Sequence, residues 1–133
     1  MNRIRRTGWL AILLCGDLAM LLAATLLGFA RHGELQGGAA SRMAATILAY
    51  AVGRPLIAPW LGAFDPLRST RPGSLWRPVL AAFLASPTGA VLRAARLDSS
   101  ALPIFVLVMG AVTGVLVLLW RVAFCLATSR SAG

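Results

Sequence analysis

The residues from Leu102 to Trp120 form an uninterrupted run without a charged side chain. As a helix, about 20 apolar residues are long enough to cross the ~30 Å hydrocarbon core of a bilayer. The whole chain suits that solvent, because 59% of its 133 residues are hydrophobic and only 13% are charged. Soluble domains carry roughly 25% charged residues, and a soluble all-helical protein needs polar helix faces that long stretches here lack. The sequence therefore predicts an all-α, polytopic membrane protein.

Three further apolar segments precede this run. We predict helices over residues 7–30, 42–64, 76–96 and 102–127, joined by short loops into a single transmembrane domain over residues 1–133. The basic start and the apolar run after it resemble a signal peptide. However, Leu14 stands before Cys15 where cleavage favours a small residue, and the apolar run continues through Ala30. We therefore expect the first segment to be retained as a transmembrane helix.

The third and fourth segments have charged boundaries. Only 15 uncharged residues separate Arg77 from Arg93, which as a helix covers ~22 Å, so we expect both arginines to extend to the two membrane interfaces. Between these segments, Asp98 or a following serine is a candidate N-cap for the fourth helix.

Arg54, Pro55 and Pro59 interrupt the second segment. On an insertion scale a central arginine costs ~2.5–3.5 kcal/mol, while each Leu, Ile, Val or Phe returns ~0.3–0.6 kcal/mol. The seven such residues of this segment just about cancel Arg54. Each proline also removes a backbone hydrogen bond and frees a carbonyl, which in lipid needs another partner. We expect this helix to be marginal alone and to insert beside a helix already in the membrane.

The charge distribution predicts that both termini are cytoplasmic. With four spans, four arginines fall outside and eight fall inside, the inner ones being Arg3, Arg5, Arg6, Arg68, Arg71, Arg77, Arg121 and Arg130. This agrees with the positive-inside rule. The same topology places all four tryptophans toward the cytoplasmic interface, where indole rings prefer to lie; these are Trp9, Trp60, Trp76 and Trp120.

Asp17 and Arg54 fall at similar depth in adjacent antiparallel helices under this topology. Asp17 lies eight residues after Trp9 and Arg54 lies ten residues before Phe64, about 12 Å and 15 Å by helical rise. Ionisable residues within a membrane usually face the bundle and pair with one another. We therefore expect a buried pair. Three roles stay open: fixing helix register, forming a polar site in an ion, proton or substrate path, or Arg54 extending toward the interface beside a neutral Asp17.

Small residues recur at helical spacing, most clearly at Gly110 and Gly114, which form a GxxxG motif. Such faces let helix backbones approach closely in lipid. Packing within the chain and dimerisation of two copies both remain open uses of this motif.

Arg31, His32 and Glu34 form a polar corner at the end of the first segment. A histidine beside an acid is able to move protons or help bind a metal, but a metal site needs three or more ligands, and a solvated turn is the alternative. No nucleophile motif or phosphate-binding loop is present. We predict no cofactor, no metal and no enzymatic activity.

The net charge of +9 on its own favours nucleic-acid binding. Because most arginines flank apolar segments instead of sharing one polar face, we expect no nucleic-acid partner.

Several of these features together resemble the family of small prokaryotic membrane proteins called Domain of Unknown Function 3054. They are Gly16-Asp17, the corner from Gly28 to Glu34, Trp76-Arg77-Pro78 and Trp120-Arg121. The sequence departs from the family at Ala49-Tyr50, where Pro-Phe is expected. The resemblance implies a four-helix integral membrane protein and assigns no activity.

Together these features predict a multi-pass protein of a prokaryotic inner membrane that is structural or accessory to a complex. Its partners are the lipid bilayer and either a second copy or another membrane protein. The alternative is a subunit of a small oligomeric transporter or channel with Asp17 and Arg54 inside the bundle.

Overall fold

A computed structural model describes residues 3–31, 38–65, 68, 71–98, 100 and 103–130. The described residues form four α-helices, and a short 3-10 turn at Pro72–Ser74 precedes the third. The helices are α1 (Arg3–Arg31), α2 (Ala39–Ile57), α3 (Trp76–Leu97) and α4 (Pro103–Arg130). The predicted all-α fold is confirmed.

Three segments are long and apolar enough to cross a membrane: Thr7–Arg31, Pro72–Leu97 and Pro103–Ser129. The second helix is not among them. It has 19 residues, and both Arg42 and Arg54 lie within it. The structure therefore supports three of the four predicted spans.

Each helix packs against its neighbours along the chain, and α1 also packs against α4. All four pairings are antiparallel. Arg54 of α2 contacts Asp17 of α1, Arg93 of α3 contacts Thr46 of α2, and Trp9 of α1 contacts Phe124 of α4. Because directions alternate, the starts of α1 and α3 and the ends of α2 and α4 share one end of the molecule.

The second helix ends at Ile57, which corrects the predicted end at residue 64. Pro59 lacks an N–H and cannot continue the helical hydrogen bonds. The chain then makes one more turn, in which the Ala63 N–H donates to the Ala58 carbonyl at 3.0 Å and the Gly62 N–H donates to the Pro59 carbonyl at 3.0 Å. Gly62 has φ +62°. This is a Schellman-type ending, which needs a left-handed residue that glycine adopts without strain.

Asp98 ends α3; the residues directly before α4 lie outside the described residues, so the predicted N-cap of α4 stays a prediction. The φ of 45° and ψ of 49° at Asp98 are left-handed, and the Asp98 N–H donates to the Ala94 carbonyl. The fourth helix begins at Pro103, a residue suited to a first helical position because its missing N–H has no intrahelical partner there.

The packing is inverted relative to a soluble protein. Most buried apolar residues are small, including Ala24, Ala45, Ala81, Ala85 and Ala90, each at most 7% exposed. Large aliphatic side chains point outward from all four helices, among them Leu26, Leu48, Val91 and Leu119, each at least 50% exposed. Close backbone packing on small residues with an apolar exterior is typical of helices that meet in lipid, and so large an apolar exterior is unusual for a soluble monomer.

Candidate functional site: a buried charge cluster

Asp17 lies on the inward-facing stripe of α1, together with Leu13 and Leu21 one turn away on either side. All three are at most 4% exposed. Positions four residues apart share a helix face, so an acid at this position points into the interior wherever its aliphatic neighbours do.

The Arg54 guanidinium meets this carboxylate from α2. Its Nη2 donates to Asp17 Oδ2 at 2.9 Å, and the whole Arg54 residue is only 8% exposed. The two residues that the sequence places at one depth are thus brought together, with the arginine turned inward and away from the interface.

A third residue, Arg121 of α4, completes the cluster. Its Nε donates to Asp17 Oδ1 at 3.1 Å and its Nη2 donates to Asp17 Oδ2. This two-point contact is the strongest geometry available to an arginine and a carboxylate. Arg121 is completely buried, whereas sequence reasoning places it among the cytoplasmic interface arginines.

The sequence does hold a signal for Arg121. Apolar residues continue after it from Val122 to Ala127, so the span does not end there, and α4 runs to Arg130. Antiparallel pairing of α1 with α4 brings Arg121 level with Asp17. A charge with six further apolar residues beyond it is better interpreted as internal than as a boundary.

Formal charges leave the cluster with one excess positive charge, since one carboxylate faces two guanidiniums. Buried ions are expensive unless they are paired and their remaining hydrogen-bonding atoms are satisfied. Arg121 and Asp17 form a matched pair. Within the described part of the chain, Arg54 Nε and Nη1 are buried and have no hydrogen-bond partner, so the excess charge resides on Arg54.

Two more arginines attach α2 to α3. The Arg93 Nε donates to Thr46 Oγ1 at 2.9 Å, and the Arg77 Nη1 donates to the Leu61 carbonyl at 2.9 Å. Both arginines are half-buried. They bind α2 and the turn after it, whereas the sequence predicts that they extend to the membrane interfaces. Arg77 thereby satisfies a carbonyl at the proline-broken end of α2. The marginal helix is thus held near its middle at Thr46, near its end at Arg54, and in the turn that follows it at Leu61.

Next to the charge cluster, the Trp120 indole lies directly against Gly16. A Cβ built on Gly16 would fall 2.0 Å from an indole carbon, so only glycine fits there. Trp120 also contacts Phe124, which stacks edge-on against Trp9 with ring centroids 5.5 Å apart. Gly16 thus allows α4 to approach α1 closely enough for Arg121 to reach Asp17.

Gly110 and Gly114 face α3 within the same chain. A Cβ on Gly110 would meet Ser86 Oγ at 2.9 Å, and a Cβ on Gly114 would meet Val79 Cγ1 at 3.5 Å. Both glycines also line an outward-opening apolar groove of about 480 Å³ between α3 and α4, together with Val79, Phe83 and Ala111.

The predicted polar corner is described only at Arg31, which is the exposed last residue of α1. His32 and Glu34 lie outside the described residues.

Comparison with known proteins supports the family resemblance. Residues 14–124 match the family described as "Protein of unknown function (DUF3054)", which is most of the chain. The chain belongs to the DUF3054 family. The segment that defines DUF3054 membership here contains Asp17, Arg54 and Arg121, so the whole charge cluster lies within it. No curated relative and no solved structure matches the chain.

Proposed function

We propose that α2 also crosses the bilayer, so that the chain has four spans and forms a four-helix transmembrane bundle. Arg42 and Arg54 both lower the apolarity of α2, but Arg42 lies within its first turns and the Arg54 side chain is turned inward against Asp17. The outward face of the same helix carries Leu48, Val52 and Leu56, which are 64%, 53% and 55% exposed. A helix whose charge is paired inside and whose outer face is aliphatic is compatible with lipid.

With four spans, we place both termini in the cytoplasm. The alternating helix directions gather Trp9, Trp60, Trp76 and Trp120 toward one end, which suits the headgroup region. Reporter domains inserted after residue 36 and after residue 70 are expected on opposite sides of the membrane, with residue 70 inside. Finding both on one side contradicts four spans.

We propose that the protein is a non-enzymatic accessory or structural component of a prokaryotic inner membrane. The observation that carries this is the saturation of Asp17, whose two carboxylate oxygens accept three hydrogen bonds from Arg54 and Arg121. A carboxylate held this way joins α1, α2 and α4 and is poorly placed to exchange protons. The role that this geometry favours for Asp17 is structural, namely holding the three helices together.

An accessory protein needs a surface for its partner, and the groove between α3 and α4 supplies a candidate. We propose that a second copy or another membrane protein packs there. In a background with Cys15 and Cys125 replaced by serine, Ala111→Cys is expected to cross-link within native membranes. Leu56→Cys on α2, which is equally outward-facing, is the control. Equal cross-linking at both positions indicates random collision and counts against the groove.

Purification in a mild detergent with mass determination tests the accessory role directly. We expect the 14.0 kDa chain to elute in a complex of fixed stoichiometry, which Ala111→Leu on the exposed surface of the groove weakens. A folded, monodisperse monomer with no bound protein contradicts the proposal.

The second candidate is a subunit of a small oligomeric transporter or channel. Buried charges within membrane helices are typical of ion pathways, and one such charge, on Arg54, borders a small cavity. Ion or proton flux in proteoliposomes, lost in Asp17→Asn, supports this role. Flux no greater than that of protein-free liposomes, from folded protein, supports the accessory role instead.

A further inference from the structure

The charge cluster borders a small cavity between the four helices, and the residues that line it favour a ligand. The lining residues come from all four helices and are Leu21, Tyr50, Arg54, Ala82, Ala85 and Thr113. The cavity volume is about 10 Å³, close to the smallest space that admits one water-sized particle. Phosphate, carboxylic acids and metabolites are therefore too large to enter.

Polar atoms on three of the lining residues have no partner among the described residues. They are Arg54 Nε and Nη1, the Tyr50 hydroxyl and Thr113 Oγ1. The three residues are 8%, 2% and 3% exposed. Ser86 lies near the Tyr50 hydroxyl, but the two hydroxyls do not form a hydrogen bond, and the Ser86 hydroxyl donates to the Ala82 carbonyl at 3.4 Å. Buried polar groups nearly always have a hydrogen-bond partner, so we expect a bound species in the cavity that supplies one to these atoms.

The chemistry of these atoms favours an anion over a water molecule. The guanidinium of Arg54 only donates hydrogen bonds, and both hydroxyls are free to donate as well. A water molecule satisfies some of these donors but leaves the excess positive charge of the cluster uncompensated in a low-dielectric interior. A monatomic anion accepts from every donor and neutralises that charge.

We propose that this cavity binds a single halide ion, held by the Arg54 guanidinium and the hydroxyls of Tyr50 and Thr113. Asp17 does not oppose the ion, because Arg121 already neutralises its carboxylate through the two-point contact. Fluoride matches the size of a water molecule, while chloride and bromide require the flexible Arg54 side chain to yield. The site does not depend on whether the protein conducts ions.

Thermal unfolding of the detergent-solubilised protein tests this. We compare sodium fluoride, chloride and bromide with sodium gluconate at equal ionic strength. At least one halide is expected to raise Tm along a saturable curve, since a ligand that binds only the folded state stabilises it by mass action. Identical Tm values in gluconate and in all three halides overturn the proposal and indicate a water-filled cavity.

Two variants separate a site from a general salt effect. Thr113→Val and Tyr50→Phe each remove one hydroxyl and keep the side-chain shape, and each is expected to weaken halide affinity about tenfold or more, as for loss of a hydrogen bond to a charged group. Thr25→Val is the control, because Thr25 is 1% exposed but its hydroxyl is already bonded to the Leu21 carbonyl at 2.9 Å.

A halide effect that neither saturates nor changes in these variants overturns the proposal. Should both variants fail to fold, crystals of the unaltered protein grown in sodium bromide decide the question. If bromide is among the halides that raise Tm, an anomalous peak between Arg54, Tyr50 and Thr113 is expected, and an ordered site without bromide there refutes the assignment.

Discussion

Replacing Asp17 with asparagine tests whether the charge cluster stabilises the fold. The substitution preserves side-chain shape and removes the negative charge that Arg54 and Arg121 share. Both buried guanidiniums then lose the carboxylate with which they pair. Breaking a buried ion pair by removing one partner costs about 3–5 kcal/mol. For a chain of this length, total stability is about 7–20 kcal/mol, so the loss is a large share.

Reversible unfolding in mixed micelles, followed by far-UV circular dichroism, measures this free energy. Asp98→Asn is the matched control, because Asp98 is exposed and its left-handed backbone suits asparagine as well. We expect the control to stay within about 0.5 kcal/mol of the unaltered protein. A loss below about 1 kcal/mol for Asp17→Asn refutes the structural role of the cluster.

The two arginines are expected to respond differently from the acid. Arg54→Leu removes the excess charge and leaves the neutral two-point pair of Asp17 with Arg121, so we expect a change within about 1 kcal/mol. In the Asp17→Asn background the same substitution removes a buried orphan charge and is expected to restore part of the lost stability. Strictly additive free-energy changes in this cycle contradict coupling through the carboxylate.

Two further substitutions probe the contacts around the cluster. Gly16→Ala forces a Cβ into the Trp120 indole and is expected to cost at least about 1–3 kcal/mol of unfolding free energy. The control is Gly8→Ala, whose Cβ meets nothing within 4 Å and which is expected to be neutral or stabilising by up to about 1 kcal/mol. Equal effects of the two variants on unfolding in micelles refute the close contact. Thr46→Val removes the hydroxyl that accepts a hydrogen bond from Arg93 and is expected to lower the free energy of unfolding by about 1 kcal/mol. A change below about 0.3 kcal/mol means that this bond does not stabilise the contact between α2 and α3.

Much of the fold follows from apolar length alone. The three helices with the strongest apolar character begin and end within a few residues of the predicted bounds, because lipid-compatible length and charged boundaries fix them. The second helix differs, since its end depends on Pro59 and on the backbone conformation of Gly62. Pro59 and Gly62 are themselves residues typical of a helix end, but the apolar run continues past them to Phe64 and favours a longer helix.

The charge cluster could be predicted only in part, because helical rise reveals depth in the membrane but not how closely two helices approach. Asp17 and Arg54 share a depth that helical rise reveals. The apolar run after Arg121 indicates that this arginine is internal, but its contact with Asp17 depends on how closely α4 approaches α1, which the Gly16–Trp120 contact sets and hydropathy does not reveal. The sequence likewise predicts Arg77 and Arg93 at the interfaces, because a boundary arginine and an arginine between helices look alike in a single sequence.

These contacts together explain how a helix containing a central arginine and two prolines is accommodated. The apolar residues of α2 only just offset Arg54 on an insertion scale, so its stability must come from neighbours. Asp17 on α1 pairs with the charge, Arg93 on α3 holds Thr46, and Arg77 satisfies the Leu61 carbonyl near the proline break. Each of these partners lies on a segment that is long and apolar enough to cross a membrane by itself. The strongly apolar helices thus carry the polar groups that the weakest helix requires, and α2 is expected to depend on α1 and α3 for its place in the fold.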